Sequence, residues 1–392
     1  MYSGKVLRNV AVIFTCLTFS SNSFGTLPVN TFTGEGIDIS LGLAISFAYD
    51  DNFYQDERRE TAGIYTIVPG IYAQMASGPN KYGAGLEVKR HQYTIINAES
   101  ATDYQLNLDA RHEFTRRNRF NGSLVVGNYV DDDQRLSNVY DQPRYQQMIV
   151  NGKYGFGSLR TRARIDFFGN LTKKEYTREQ YDNSKTSLYG ATAYYHFLTR
   201  TDILFETSKE VLAYSGAAGY GVNSYLAGLS FRPSAKTAGY FKLGRRFLSS
   251  EQNEEEGYTG WDASGTYNIK SYSVVTLSVG EKYDIESDDP SQSHYAKVKE
   301  VSTSWNHQWS ARRRTVLKWE ATWEDILGYG ATVDKEAMTH NFHVGWTWNV
   351  RRWFSLSLTW KHTIHNEKAI NPEVKLENYR QNVFTFSSSI NL

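Results

Sequence analysis

The chain has 392 residues, yet it contains one cysteine, seven prolines and, beyond its first residues, no apolar run approaching the ~20 residues of a membrane helix. Each scarcity excludes something. Cys16 lies inside an apolar N-terminal stretch, so no disulfide framework holds the rest of the chain. A lipidated cysteine is a poor reading of it, because Phe14-Thr15 precede it and Leu17 and Phe19 follow. No Pro/Ser linker or shift in composition divides the chain into the two or three soluble domains that its length would suggest. A net charge of +1 offers no polycation for nucleic acid. A mean hydropathy of −0.54 agrees with the lack of helical spans. No nucleotide motif is present, and no cofactor is expected.

What the chain has instead is alternation. From about residue 37 to the end, stretches of roughly ten residues place apolar and polar side chains on opposite faces, which is the pattern of a membrane strand. In 342–350, Phe342, Val344, Trp346, Trp348 and Val350 fall on one face, and His343, Gly345, Thr347 and Asn349 on the other. Aromatic residues make up 15% of the chain, with 28 Tyr and 9 Trp, enough for girdles at two membrane interfaces. The expected fold is all-β, a transmembrane antiparallel β-barrel of about 18 strands (16–18). The strands are expected at 37–49, 63–76, 81–95, 103–115, 119–129, 145–155, 158–168, 186–197, 201–213, 223–232, 236–247, 258–269, 273–284, 297–309, 314–325, 338–350, 353–365 and 382–392.

Three domain-level segments are expected. Lys5 and Arg8, the apolar core 10–19 and Ser23-Phe24-Gly25 read as a signal peptide over 1–25, followed by a periplasmic segment 26–36 and the barrel 37–392. Short connections such as Gly78-Pro79-Asn80, Arg116-Arg117-Asn118, Phe156-Gly157 and Arg351-Arg352 alternate with long ones, which puts both termini in the periplasm of a Gram-negative cell. Phe384, Phe386, Ile390 and Leu392 resemble the terminal strand read by the barrel-assembly machinery, with Leu392 in place of the usual Phe.

With apolar faces given to lipid, parity names the inner wall. It offers Glu87, Lys89 and His91; Gln105, Asn107, Asp109, Arg111 and Glu113; and Arg160, Arg162, Arg164 and Asp166. Later strands add Lys242, Arg246, Lys282, Asp284, Lys318, Glu320, Glu324 and Lys361. Such charges pair across strands, or act as a transverse field on a solute. The ladder Arg160, Arg162 and Arg164 is the candidate for the second role. The links 130–144, with Asp131, Asp132, Asp133 and Arg135, and 169–185, with Lys173, Lys174, Glu175, Arg178 and Glu179, either fold inward as constrictions or stand as solvated surface loops. Acidic runs at 254–256 and 288–289 either hold divalent ions against lipopolysaccharide or are simply solvated.

Catalysis finds little support. His340/His343 and His362/His365 mimic metal pairs, but a spacing of three on a strand sends the two rings to opposite faces. His112, His307 and His362 are expected outside, among interfacial aromatics. No Ser/His/Asp set stands out from a polar lumen.

One further pattern is local. A first strand ending in Tyr49-Asp50-Asp51-Asn52-Phe53-Tyr54, then Thr66-Ile67-Val68-Pro69-Gly70-Ile71 opening the second, with an acidic echo at Tyr129-Val130-Asp131-Asp132-Asp133, resembles the β-barrel porin 2 family of Gram-negative exopolysaccharide gene clusters. The resemblance implies an outer-membrane exit channel for an exopolysaccharide or capsular polysaccharide, acting with periplasmic or inner-membrane export machinery and without chemical turnover. Tyr194, Ser278, Thr322, Thr347 and Thr359 would then exchange hydrogen bonds with passing sugars. Composition and spacing leave open a general diffusion porin for small hydrophilic solutes and a plugged structural or adhesive barrel. Asp50, Asp51 and Asn52 are expected to accept backbone N–H groups, Tyr49, Phe53 and Tyr54 to anchor at headgroups, and Pro69-Gly70 to mark a bend or bulge.

Overall fold

The structure, a computed structural model, describes residues 32–34, 36–55, 59–95, 100–130, 143–158, 161–178, 183–215, 219–250, 256–286, 294–327, 333–370 and 378–392. The signal segment, Cys16, Arg160, Glu179, the acidic runs at 254–255 and 288–289, and the candidate constriction residues Asp131, Asp132, Asp133 and Arg135 lie outside the described residues.

A short strand, β1 (Phe32–Gly34), pairs antiparallel with the start of β2 (Ile37–Asp50). The chain continues through β3 (Ala62–Ser77), β4 (Asn80–Tyr93), β5 (Ala101–Thr115), β6 (Asn118–Val130), β7 (Arg144–Phe156), β8 (Ala163–Tyr176), β9 (Ser184–Leu198) and β10 (Thr201–Tyr214). It completes the sheet with β11 (Tyr220–Phe231), β12 (Thr237–Ser250), β13 (Glu256–Lys270), β14 (Ser273–Glu286), β15 (His294–Ser310), β16 (Arg313–Leu327), β17 (Val333–Asn349), β18 (Phe354–Ala369) and β19 (Tyr379–Asn391). Each of β2 to β19 pairs antiparallel with its sequence neighbours, and β19 returns to β2, closing an eighteen-strand barrel.

Alternation explains which face points where. On β2, Leu41, Ile45, Phe47 and Tyr49 stand at 46, 49, 40 and 43% exposure, while Ser40, on the opposite face, is at 4%. Exposed apolar side chains recur around the circumference at Ile71, Leu86, Phe167, Phe205, Leu229, Phe241, Leu277, Leu358 and Phe386. Left in water, such a band would be a large unpaired apolar surface; against acyl chains it needs no second protein layer. Below it, at the end bearing the links 78–79, 116–117, 199–200 and 271–272, Phe114, Phe156, Phe197 and Trp309 project fully outward as an interfacial girdle. His112 and His307 join this girdle, at 4.3 Å from Phe114 and Trp309 respectively, and His362 stacks on Trp360 higher up. That end is termed the turn end and the opposite one the loop end. The length contrast is softer than the sequence suggests, because strands run further: the link 215–219 at the loop end is no longer than 232–236 at the turn end.

One strand is displaced from its expected position. The stretch 158–168 alternates like a strand, yet β8 begins at Ala163 and continues to Tyr176. Gly157 takes φ +99°, and Thr161 closes the turn by donating its N–H to the Ser158 carbonyl at 3.1 Å and its hydroxyl to Ser158 and Ala163 carbonyls at 2.6 and 2.9 Å. Lys173, Lys174 and Glu175 therefore belong to a strand, and only Arg178 of that group lies in a link among the described residues.

Closure is pinned at both ends of the β19–β2 seam. At the turn end Leu41 and Leu392 exchange backbone hydrogen bonds of 2.9 and 2.8 Å. At the loop end Asp51 accepts the Asn382 N–H at 2.5 Å and its Nδ2 at 2.7 Å. Asp50, 1% exposed, accepts the Asn52 N–H at 3.0 Å and Gln381 Nε2 at 2.8 Å, and Asn52 Nδ2 donates to the Arg380 carbonyl at 2.9 Å. Tyr49 does face outward, but Phe53 is not a headgroup anchor. It is 1% exposed and packs edge-on against Tyr54 and Tyr93, in a cluster with Ala62 and Ile64. At Pro69 the pairing of β3 with β4 breaks between Ile67↔Arg90 and Gly70↔Glu87, with unchanged register. The missing N–H interrupts the ladder without inserting a residue, so there is a gap and not a bulge.

Replacing Asp51 by Ala removes two hydrogen bonds to a charged acceptor and is expected to destabilise the folded barrel by about 2 kcal/mol. Urea unfolding of the purified barrel reads this; an unchanged midpoint would mean that the ladder closes without its side-chain clamp.

Candidate functional site

Cross-strand partners share a face, so the register fixes the inner wall. Glu87 stands beside Gln105, Lys89 beside Asp103 and Arg111 beside Lys81. Lys242 stands beside Asp262, and Lys318, His343 and Lys361 form one row across β16, β17 and β18. Arg164 and Asp166 on β8, and Glu320 on β16, share this face. Tyr194, Ser278, Thr322, Thr347 and Thr359 are on it as well. Of each His-x-x-His pair, one ring faces in and the other out: His340 lies among Trp319, Trp323 and Phe342, while His343 is beside Lys318.

The arginine ladder does not form as expected. Arg162 precedes β8, is exposed, and holds its guanidinium 5.4 Å above the outward ring of Tyr195. Arg164 alone of the described pair turns inward, over Tyr194 at 3.8 Å and beside Asp202 at 3.4 Å. Gly157, Ser158 and Thr161 turn the chain ahead of β8, so Arg162 stands before the strand and not in a row with Arg164.

Inner charges are neutralised locally. Lys242 Nζ lies between Asp262 at 2.8 Å and Glu206 at 3.3 Å. Asp166 receives Arg119 at 2.6 Å and Lys153 at 3.2 Å. Glu367 receives Lys335 and His365, both at 3.2 Å, and Lys318 pairs with Glu320. Away from bulk water an unpaired charge is costly, so a lysine inserted between two carboxylates holds three strands together.

The wall also has features that charge parity did not reveal. Inward aromatic rings lie between β3 and β13, among them Tyr72, Tyr129, Tyr145, Tyr194 and Tyr240. From β14 round to β2 the described inner face has few rings: hydroxyls such as Ser278, Ser302, Thr359, Thr385 and Ser46 stand among the charged groups of β16 to β18, with Tyr379 at the rim. A third patch is apolar: Leu212, Tyr220, Val222, Leu248 and Tyr258 pack together on the inner face near the loop end. Its signal was available, since 220–229 carries apolar residues on both faces.

A closed antiparallel barrel with a lipid-facing apolar band and a charged interior can now be compared with solved structures. OpdK of Pseudomonas aeruginosa, in its structure with vanillate, is 9% identical, with 91% of this chain and 99% of that chain covered and a TM-score of 0.50. OccAB3 of Acinetobacter baumannii is 10% identical over 91% of this chain and 99% of that one, with a TM-score of 0.47. The chain shares the closed antiparallel barrel fold of these proteins. At these identities the likeness concerns the fold alone. No protein-family model matches the chain, and no curated protein matches it either.

In this barrel, Lys242→Met is expected to leave Glu206 and Asp262 facing each other without a cation. Stability should fall by about 3 kcal/mol in urea unfolding, and any current through the barrel should become more cation-selective. Unchanged reversal potential in a salt gradient, together with an unchanged midpoint, would contradict the assignment of Lys242 to the inner wall.

Proposed function

We propose that this chain is an outer-membrane diffusion channel for small hydrophilic solutes, passing them without chemical turnover. The observation that supports it most is the inner wall itself: paired charges, hydroxyls and amides on all sides of an eighteen-strand barrel, a size class that leaves an aqueous passage. Local pairing of many of the described inner charges suits a passage that tolerates many solutes, since a paired charge holds a solute less tightly. Its surroundings are outer-membrane lipid and lipopolysaccharide, and its C-terminal strand is the segment offered to the barrel-assembly machinery.

Polysaccharide export stands second. It comes from a resemblance carried by Asp50, Asp51 and Asn52, and these residues bind the closing seam, with Asp50 and Asn52 at 1 and 0% exposure. Their chemistry serves closure and carries no information about cargo.

Purified barrel in planar bilayers is expected to give steady, ohmic conductance, and proteoliposomes to swell in small sugars. Inserted barrel without conductance would sink the diffusion reading. Loss of secreted polymer on deletion of the gene, with small-solute uptake unchanged, would move export to first place.

A further inference from the structure

Two inward tyrosines lie flat on the wall because glycines make room for them. The Tyr72 ring covers Gly70 and Gly85: a Cβ on Gly70 would meet the Tyr72 hydroxyl at 2.9 Å, and one on Gly85 would meet the ring at 2.8 Å. The Tyr129 ring covers Gly127 in the same way. The two rings approach a common point from opposite ends of the barrel. Tyr72 donates its hydroxyl to Glu87, Tyr129 donates its own to Gln105 at 3.0 Å, and Glu87 and Gln105 are cross-strand partners. Along the loop-end rim the surface continues through cross-strand partners, with Tyr129 and Tyr145 at 5.6 Å and Tyr145 and Tyr176 at 5.7 Å between ring centroids. Lys174 Nζ sits 4.1 Å over Tyr145 and 4.8 Å over Tyr176 at the rim.

Four half-buried rings thus run along the loop-end rim from the last residue of β8 to Tyr129 on β6 and then, past Gln105 and Glu87, down to Tyr72 on β3. Glycine floors also lie under lipid-facing rings, as at Phe120 over Gly122; what sets Tyr72 and Tyr129 apart is that they face the lumen with a fixed hydroxyl. A flat ring with a tethered edge presents a rigid apolar face to the lumen and keeps acceptors at its margin. Pyranose sugars have the matching surface, an apolar C–H face rimmed by hydroxyls. The opposite side of the lumen, rich in Ser and Thr, meets the remaining hydroxyls.

We propose that Tyr72, Tyr129, Tyr145 and Tyr176 form a stacking rail for pyranose rings, with Glu87 and Gln105 accepting sugar hydroxyls where the rail turns. The rail rests on the channel reading above and names carbohydrate as the solute class. Successive weak sites let a sugar ring pass from one platform to the next without being trapped.

The test is single-channel recording of the purified barrel in salt, with maltohexaose as the pyranose probe and a polyethylene glycol of matched size as a non-stacking control. Wild type should show transient current blocks by maltohexaose. The Tyr72→Ala/Tyr129→Ala variant should bind it roughly tenfold more weakly, two aromatic faces being lost, with block by the glycol unchanged. Gly127→Ala, which keeps every tyrosine but lifts Tyr129 from the wall, should weaken block in the same direction, so the idea stays testable if the double variant fails to fold. Tyr72→Phe/Tyr129→Phe keeps both rings and should keep most of the block. A conducting barrel that maltohexaose never blocks, or blocks equally in all variants, overturns the rail while leaving the channel reading intact. An inserted wild-type barrel carrying no current overturns both.

Discussion

Within hydrocarbon a strand edge cannot be left open, because each unpaired N–H and C=O costs several kcal/mol with no water to offset it. The rest of this structure depends on that constraint. The sheet must return to its start, which requires β19 to find β2. Asp50, Asp51 and Asn52 meet Gln381 and Asn382 at one end of the seam, and Leu41 meets Leu392 at the other. Closure then fixes the register of every intermediate strand, and register decides which side chains meet lipid and which meet the interior.

The interior follows a different rule. Outside, a uniform apolar band suffices, since lipid asks only for the absence of polarity. Inside, side chains on neighbouring strands must satisfy one another, as Lys242 does with Glu206 and Asp262, and Arg119 and Lys153 do with Asp166. Where charges are balanced locally, differences of shape and surface remain: aromatic plates on one side, hydroxyls among paired charges on the other, and an apolar cluster near the loop end. A solute would sense these differences more than any net field.

Strand number, direction and facing were legible in the sequence because a two-residue period is unambiguous when one face meets lipid. His340 and His343 illustrate this, separated onto opposite faces by counting alone. The residues just before β8 alternate as a strand does, yet Gly157 and the hydrogen bonds of Thr161 to Ser158 and Ala163 set the backbone there. Phe53 misled for a different reason: it was judged by residue type, whereas its burial depends on the path of a link that periodicity does not describe. Ion-pair partners were likewise out of reach. Asp166 and Arg119 are separated by 47 positions, and only the fold brings them to 2.6 Å.

The seam has a consequence in time as well as in space. Asp51 and its partner Asn382 are 331 positions apart, close to the greatest separation the chain allows. Contacts of such long range form late, after the loop entropy between them has been spent on nearer pairings. The buried clamp therefore reports completion, since a chain missing its last strand has nothing to offer Asp50 and Asp51 and retains two raw edges. An outer membrane populated by such barrels would hold finished cylinders, with truncated chains exposed to proteolysis before they seal.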